Sequence, residues 1–327
     1  MMKAVWYDRT GGPEVLQYGQ LPTPSPGAGE VLVRLATSGV NPSDWKSRSG
    51  ATGRPMAFPR VVPHSDGAGT VEAVGEGVDR ARVGERVWIW NGGWRRAFGT
   101  AAEYIALPSA QAVRLPENIG FDEGACLGIP ALTALHALLT DGGVSGRRVL
   151  VTGGAGSVGH YAVQFARLLG AAQVLATASS EEKAAHATAA GADLVINYRT
   201  EDVPERVAAL TAGHGVDRVA EVDVSGNAKM LPSVLAPGGI CAVYGANGPA
   251  AEIAFGPAIL KGIALRFFIV YELDAAQRAT AIGTLQGWLE AGLVRHAVAA
   301  RLPLAECAAA HRAVQEGKHI GNLVLDC

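Results

Sequence analysis

A regular alternation of strand and helix patterns between Arg147 and Gly245 limits the fold of this chain more than any other feature. Short apolar runs such as "RVLVTG" and "QVLATA" alternate with longer segments whose apolar residues recur at helical spacing. Consecutive strands with a helix between them pair in parallel and build βαβ units. The pattern therefore predicts an α/β domain with a doubly wound parallel sheet.

The first strand of this series leads into a glycine-rich turn. Gly154, Gly156 and Gly159 match the spacing G-x-G-x-x-G, and a helical pattern follows. In this context the first glycine allows a tight turn, the second lets the backbone approach a pyrophosphate, and the third lets helix and strand pack closely. The helix N-terminus also attracts phosphate. The predicted pyrophosphate contacts are Gly156, Ser157, Val158 and Gly159.

The second strand distinguishes NAD from NADP. Enzymes that bind NAD usually place an acid about 20 residues after the glycines, at the end of this strand. Here the strand ends "QVLATASSEEK", and Ser179, Lys183 and Tyr198 could instead hold a 2′-phosphate. Ser179 and Glu182 also fit a helix capping box, and Lys183 also fits a solvated helix position. The missing acid favours NADP(H).

The first 120 residues have a different pattern. Short β-branched runs broken by glycine cover Glu30–Val40, Gly67–Val78 and Gly84–Trp90, which predicts a β-rich domain. His64 and Asp66 stand two residues apart and could share one face of a strand. No cysteine precedes Cys126, so a third metal ligand has no obvious source. We expect no metal, and His64 hydrogen-bonded within a loop.

Composition excludes several classes of function. The net charge is −2 and no Lys/Arg block stands out, so we expect no nucleic-acid partner. No apolar stretch approaches the roughly 20 residues of a membrane span, so we expect no membrane association. The four cysteines are far apart in sequence, which is typical of a reduced, cytoplasmic protein.

Several blocks along nearly the whole chain resemble one known family. The blocks are Gly11–Leu16, Gly39–Gly50, His64–Val78, Gly84–Trp88, Gly124–Leu138, Gly191–Arg199 and Leu235–Gly245. They are similar to the medium-chain dehydrogenase/reductase superfamily, and within it to the zinc-free NADPH:quinone oxidoreductases of the zeta-crystallin type. Where zinc-dependent relatives carry a cysteine, this chain has Asn41-Pro42-Ser43-Asp44. The resemblance therefore also implies no metal.

The resemblance implies a domain organisation. Residues 1–122 would form a GroES-like catalytic domain, residues 123–266 an inserted Rossmann domain that binds NADP(H), and residues 267–327 a return that completes the catalytic domain. The cofactor would lie in the cleft between the domains. Relatives also form homodimers through the edge strands of their Rossmann sheets. The apolar segment Ile263–Val270 fits such an edge, and it equally fits a buried core strand.

The resemblance also implies individual site residues. Ser179, Lys183 and Tyr198 fall at the adenosine 2′-phosphate. The positions that face or flank the ribose and nicotinamide are Asn41, Lys46, Thr133, Asn227, Tyr244, Gly245, Ala246, Asn247, Phe268, Ile269, Val270 and Asn322. Two of them depart from the family, because relatives often carry an aromatic residue at Lys46 and a lysine or arginine at Asn322.

The expected activity is reduction of quinones by direct hydride transfer from NADPH. Asn41 could donate a hydrogen bond to the developing oxyanion, and Asp44 is a weaker catalytic candidate that also fits a loop cap. Solvent can protonate the product, so no acid is obligatory. One alternative is reduction of activated C=C bonds in enones or acrylates, for which Tyr271 is a candidate acid. The other is a non-catalytic, crystallin-like NADPH-binding protein.

Overall fold

The computed structural model describes all residues from Met1 to Cys327. The strands are β1 (Met2–Trp6), β2 (Gln17–Leu21), β3 (Glu30–Val40), β4 (Asp66–Val74), β5 (Arg86–Ile89), β6 (Tyr104–Pro108), β7 (Ala112–Arg114), β8 (Arg148–Val151), β9 (Gln173–Ala178), β10 (Leu194–Asn197), β11 (Val216–Glu221), β12 (Leu235–Val243), β13 (Ala264–Phe267), β14 (Val298–Pro303) and β15 (Asn322–Asp326). The α-helices are α1 (Pro42–Ser49), α2 (Phe121–Gly124), α3 (Leu132–Leu139), α4 (Ser157–Leu168), α5 (Glu181–Ala190), α6 (Val203–Leu210), α7 (Val224–Asn227), α8 (Leu231–Val234), α9 (Phe255–Lys261), α10 (Ala275–Glu290) and α11 (Cys307–Glu316). No helix is both long enough and apolar enough to cross a membrane.

Residues 1–129 and 288–327 form one compact unit. Its main sheet has the strand order β14-β15-β3-β4-β5-β7, with β6 also paired to β3. Side chains of β3 alternate across the sheet, so Val31, Val33 and Leu35 share one face and enter an apolar core. The last strand, β15, pairs antiparallel with β3. The C-terminal residues therefore complete a sheet that begins near the N-terminus.

Residues 130–287 form the second unit. Six parallel strands lie in the order β10-β9-β8-β11-β12-β13. In chain order this is 3-2-1-4-5-6, the arrangement of a Rossmann sheet, and it confirms the predicted fold class. The strand order reverses between β8 and β11. Ligands of such sheets bind beside the carboxyl ends of the strands at this reversal.

The division into units differs from the boundaries expected at 122/123 and 266/267. Residues 267–287 belong with the Rossmann sheet because β13 is its last strand and the chain beyond it is tied to α10. The tie is made by Arg278, whose buried guanidinium donates to the carbonyl of Val270 at 2.7 Å.

Candidate cofactor and active site

The turn between β8 and α4 is built on Gly153. This residue has a φ of +67°, in the left-handed region that favours glycine. Its N–H donates to Thr177 Oγ1 at 3.0 Å, and the N–H of Gly154 donates to the Thr177 carbonyl at 2.9 Å. Both bonds anchor the turn to β9. The prediction that Gly154 makes the tight turn is therefore wrong by one residue.

Gly156 and Gly159 have different surroundings. A Cβ on Gly159 would lie 2.9 Å from the Cα of Gly154 and closer still to the carbonyl oxygen of Gly153, so only glycine lets α4 pack this tightly. A Cβ on Gly156 would meet only that same oxygen, at 3.3 Å. Gly156 precedes the first residue of α4, Ser157, and its open side leaves room for a phosphate at the helix N-terminus. The loop thus fits a dinucleotide pyrophosphate.

The carboxyl ends of β9 and β10 carry the residues expected at the 2′-phosphate. The Tyr198 N–H donates to the carbonyl of Ala178 at 3.1 Å, which holds the residues that follow both strands together. The N-cap of α5 is Ser180, whose hydroxyl accepts from the Lys183 N–H at 3.3 Å. The interpretation of Ser179 as the helix cap is therefore wrong. Ser179 lies between the end of β9 and this cap.

Two acids at the end of β11 organise the next part of the site. Glu221 is fully buried and accepts from Asn227 Nδ2 at 2.8 Å, while Asp223 accepts from both the backbone N–H and Nδ2 of Asn247 at 2.8 Å. Burial raises the pKa of Glu221, although hydrogen bonds, led by that from Asn227, lower it. The sequence interpretation missed both acids. The available signal was an acid at the end of a buried strand, followed two residues later by a second acid.

The remaining predicted residues of this unit lie close by. The Tyr244 N–H donates to the Glu221 carbonyl at 3.1 Å, and the Phe268 ring lies 6.3 Å from that of Tyr244. The Phe268 ring also contacts the His136 ring edge-on, with 4.6 Å between the ring centres. His136 lies on α3, which also carries the buried Thr133. The other members of this group are Gly245, which closely approaches Val222, the partly buried Ala246, the part-exposed Ile269 and the buried Val270.

In the first unit, Asn41 is the N-cap of α1. Its backbone N–H donates to Asp44 Oδ2 at 2.7 Å, and its Nδ2 donates to Asp66 Oδ2 at 2.9 Å. All three side chains are buried. Burial raises the pKa of Asp44 to about 7, against the lowering effect of the Asn41 hydrogen bond, and raises that of Asp66 well above its usual range. Asp44 is therefore the third residue of α1 and caps the N-terminus of this helix, not a loop.

Lys46 and Asn322 also lie in the first unit. Lys46 Nζ is 5.8 Å from the centre of the Trp45 ring. Asn322 is buried at the start of β15, and its N–H and Nδ2 donate to the carbonyl of Ala297 at 2.8 and 3.2 Å. The Asn322 side chain thus holds the start of the last strand.

His64 has partners that the sequence interpretation did not find. Its Nδ1 bonds to Ser38 Oγ at 2.9 Å, and its Nε2 lies 2.9 Å from Nε2 of His311 and 3.8 Å from Sγ of Cys307. The expected hydrogen bonding of His64 is confirmed. The expectation that no third metal ligand is available to it is wrong, because α11 brings two candidate ligands from the other end of the chain.

Family models match both units. The model "Alcohol dehydrogenase GroES-like domain" matches residues 27–117, and the model "Zinc-binding dehydrogenase" matches residues 157–285. The chain is 32% identical to quinone oxidoreductase of Rattus norvegicus, over 99% of this chain and 98% of that protein. It is also 32% identical to 2-haloacrylate reductase of a Burkholderia species, over 99% of both chains.

Solved structures agree with these matches. Escherichia coli quinone oxidoreductase, complexed with NADPH, superposes with a TM-score of 0.90 at 26% identity, covering 99% of this chain and 100% of that one. A structure described as an NAD-dependent alcohol dehydrogenase superposes with a TM-score of 0.91 at 32% identity over all of both chains. A GroES-like unit with a Rossmann unit and its glycine loop defines a nicotinamide-dependent oxidoreductase. The chain belongs to the medium-chain dehydrogenase/reductase family.

The family description implies zinc, and the loop at Asn41 does not fit it. The protein ligands of catalytic zinc are mainly histidine nitrogens and cysteine sulfurs, and some sites add a carboxylate oxygen. Here the loop offers an amide and the carboxyl of Asp44, and one oxygen of each nearby carboxyl already accepts hydrogen bonds: Asp44 from Asn41, and Asp66 from Asn41 and Ile129. His64 bonds to Ser38 and His311 instead. The Asn41 loop therefore lacks the cysteine and histidine ligands that are typical of a catalytic zinc site.

Proposed function

We propose that this protein reduces quinones by hydride transfer from NADPH, without zinc. The observation that carries the cofactor choice is the end of β9, where Ser179 follows the strand and no carboxylate occupies the ribose position. Lys183 is the third residue of α5, and Tyr198 follows β10. An ammonium and two hydroxyls suit a phosphate, which an aspartate would repel. The similarity to quinone oxidoreductases supports a quinone as the substrate.

The chain's own residues would bind and orient the reactants. When bound, NADPH supplies the hydride, and the protein supplies position and electrostatics. The Gly156 backbone and the α4 N-terminus would hold the pyrophosphate, while Asn227 and Asn247 are kept in place by Glu221 and Asp223. Asn41 has a second amide proton besides the one given to Asp66, and we propose that it donates this proton to the substrate oxygen.

A second candidate is reduction of an activated C=C bond. The similarity to 2-haloacrylate reductase is the observation that favours it. This reaction requires a proton at carbon, and Asp44 is a buried acid whose pKa of about 7 keeps part of it protonated near neutrality. Tyr271, the acid expected from sequence, lies in the short turn Val270–Glu272.

The two candidates separate in one kinetic experiment. Oxidation of NADPH and NADH is followed with small quinones, with 2-haloacrylates and with enones, in buffer that contains a metal chelator. We expect turnover with quinones and a clear preference for NADPH. An Asn41→Ala variant should lower kcat with quinones while NADPH binding is retained. Turnover with the unsaturated acids alone would replace quinone reduction by C=C reduction, and no turnover with tight NADPH binding would indicate a binding protein.

The cofactor preference is tested at Ser179. In Ser179→Asp, the new carboxylate faces the expected 2′-phosphate and removes a hydrogen bond to a charged group, worth roughly 1.5–3 kcal/mol. We expect KM for NADPH to rise about 10- to 100-fold and KM for NADH to stay the same or fall. Ser180→Ala is the matched control, since it removes the α5 cap and costs stability without touching the preference. Equal effects of Ser179→Asp on both cofactors would refute the NADPH assignment.

We also propose that the protein forms a homodimer through β13. This strand is one of the two edges of the Rossmann sheet, and an exposed edge can pair with the same strand of a second copy. Phe267 on β13 is 66% exposed, and Leu260 on the neighbouring α9 is 88% exposed. Large exposed apolar side chains at a sheet edge are a common feature of protein–protein interfaces.

A further inference from the structure

The geometry points to a second, buried site: we propose that His64, Cys307 and His311 bind one monovalent thiophilic cation of the Cu(I) class. The three candidate ligand atoms lie within 4.8 Å of one another, and all three residues are buried. None of the three ligands is a residue assigned to NADPH or substrate, although Asp44 of the Asn41 loop acts electrostatically on Cys307. The proposal is independent of the proposed function.

The sequence positions two of the ligands on one helix face. Cys307 is the first residue of α11 and His311 follows one turn later, so their side chains project side by side. His64 comes from the loop before β4 and has a φ of +75°, an uncommon conformation for a residue with a side chain. The packed surroundings that hold this backbone include Gly99, where a Cβ would overlap the carbonyl groups of Pro63 and His64.

A chain of hydrogen bonds sets the proton on His64. Thr100 Oγ1 donates to the carbonyl of Asp66 at 2.5 Å, so it accepts from Ser38 Oγ at 2.8 Å. Ser38 Oγ therefore accepts from His64 Nδ1 at 2.9 Å. The proton is on Nδ1, and Nε2 keeps its lone pair toward the other two ligands. Metal-bound histidines are typically oriented through their second nitrogen in this way.

His311 also directs one ring nitrogen toward the cluster. Its Nδ1 is buried and has no hydrogen-bond partner, and its Nε2 faces Nε2 of His64 at 2.9 Å. Without a metal, the His311 Nε2–H donates to His64. When the ion binds, the His311 proton moves from Nε2 to Nδ1, and Cys307 releases its thiol proton to solvent. The Nε2 atoms of His64 and His311 separate to roughly 3.4 Å, which admits an ion with bonds near 2.0 Å. Burial lowers the pKa of both histidines and raises the pKa of the Cys307 thiol, so the ion itself has to displace the thiol proton.

Charge and coordination number select the ion. Arg48 is fully buried, and its Nε and Nη1 lack hydrogen-bond partners. It acts electrostatically on both Cys307 and His311. A monovalent ion with one thiolate adds no net charge beside this guanidinium, whereas a divalent ion would add one positive charge. One soft thiolate and two imidazole nitrogens in a buried three-ligand site suit Cu(I), while structural Zn²⁺ sites are almost always four-coordinate.

The test is a titration of the full-length protein with Cu(I), without oxygen, against a chromophoric Cu(I) chelator. We expect one equivalent per chain, a rise in melting temperature, and an X-ray absorption spectrum with two nitrogens and one sulfur around copper. Loss of an orienting partner of a metal ligand typically weakens affinity 10- to 100-fold. Ser38→Ala should therefore weaken binding by about 10- to 100-fold, and Cys307→Ser by about 100-fold or more.

Cys327→Ser is the matched control, because Cys327 packs against the same apolar core and is not one of the three ligands. It should bind Cu(I) as the wild type does. Several results would overturn the proposal: no stoichiometric binding, binding that is lost in Cys327→Ser and kept in Cys307→Ser, or a preference for Zn²⁺ through the same residues. The absorption spectrum uses only the wild type, so the test survives if the Cys307 variant fails to fold.

Discussion

Alanine substitutions at two glycines of the cofactor loop should affect different properties: one lowers stability and the other lowers cofactor affinity. Gly159→Ala places a methyl 2.9 Å from the Gly154 Cα and nearer still to the Gly153 oxygen. Both distances are below 3.0 Å, which is shorter than Cβ contacts in proteins. Helix propensity alone would stabilise the protein by about 1 kcal/mol. Overpacking against backbone costs about 1–3 kcal/mol, since neither partner is a flexible side chain. We expect a net loss of about 1 kcal/mol.

Gly156→Ala should fold normally and bind the cofactor weakly. The added Cβ has one neighbour, the Gly153 oxygen at 3.3 Å, and the extended backbone of Gly156 (φ −76°, ψ 170°) suits alanine. The weaker N-cap and the stiffer unfolded chain nearly cancel, so stability should change by less than about 0.5 kcal/mol. A methyl between the backbone and the pyrophosphate removes about one charge-assisted hydrogen bond, roughly 2 kcal/mol, or about 30-fold in NADPH affinity.

Both effects are measured with the same two assays, NADPH fluorescence titration and urea unfolding. Gly283→Ala is the control, since this glycine lies within α10 with nothing within 4 Å of an added Cβ. It should stabilise slightly and leave NADPH affinity unchanged. Normal NADPH binding by Gly156→Ala would show that the backbone there does not approach a pyrophosphate. A stabilised Gly159→Ala would show that the close packing of α4 is not required.

Two further predictions concern a buried acid and the sheet edge. In the folded protein the pKa of Asp44 is raised to about 7. The folded state therefore binds this proton more tightly than the unfolded state does. The stability of the wild type should fall as pH rises from about 4 to about 7. Asp44→Asn should flatten this decline in urea unfolding at several pH values, and parallel curves would contradict it. Phe267→Lys, at an exposed position, should convert the dimer to a monomer in light scattering while the chain still folds. A monomeric wild type would refute the dimer.

The sequence alone determined the elements and the cofactor class. The apolar run Glu30–Val40 coincides with β3, because β-branched residues between polar breaks leave little choice of structure. The glycine spacing located the loop because close backbone contacts at Gly159 exclude every side chain. Such signals are local, since each depends on residues within a few positions of one another. Such local patterns can be recognised without knowledge of any contact between distant segments.

Only the tertiary structure decided which distant groups meet. The cap of α5 is Ser180 and not Ser179, since a one-residue shift in the helix start depends on how β9 ends against β10. Glu221 and Asp223 became recognisable as site residues only through their bonds to Asn227 and Asn247.

The His64 cluster shows the same limit most clearly. His64 and Cys307 are 243 positions apart. They meet because β15 pairs with β3 and returns the C-terminal segment to the first unit. Spacing along the chain carries no information about a contact that a sheet register creates.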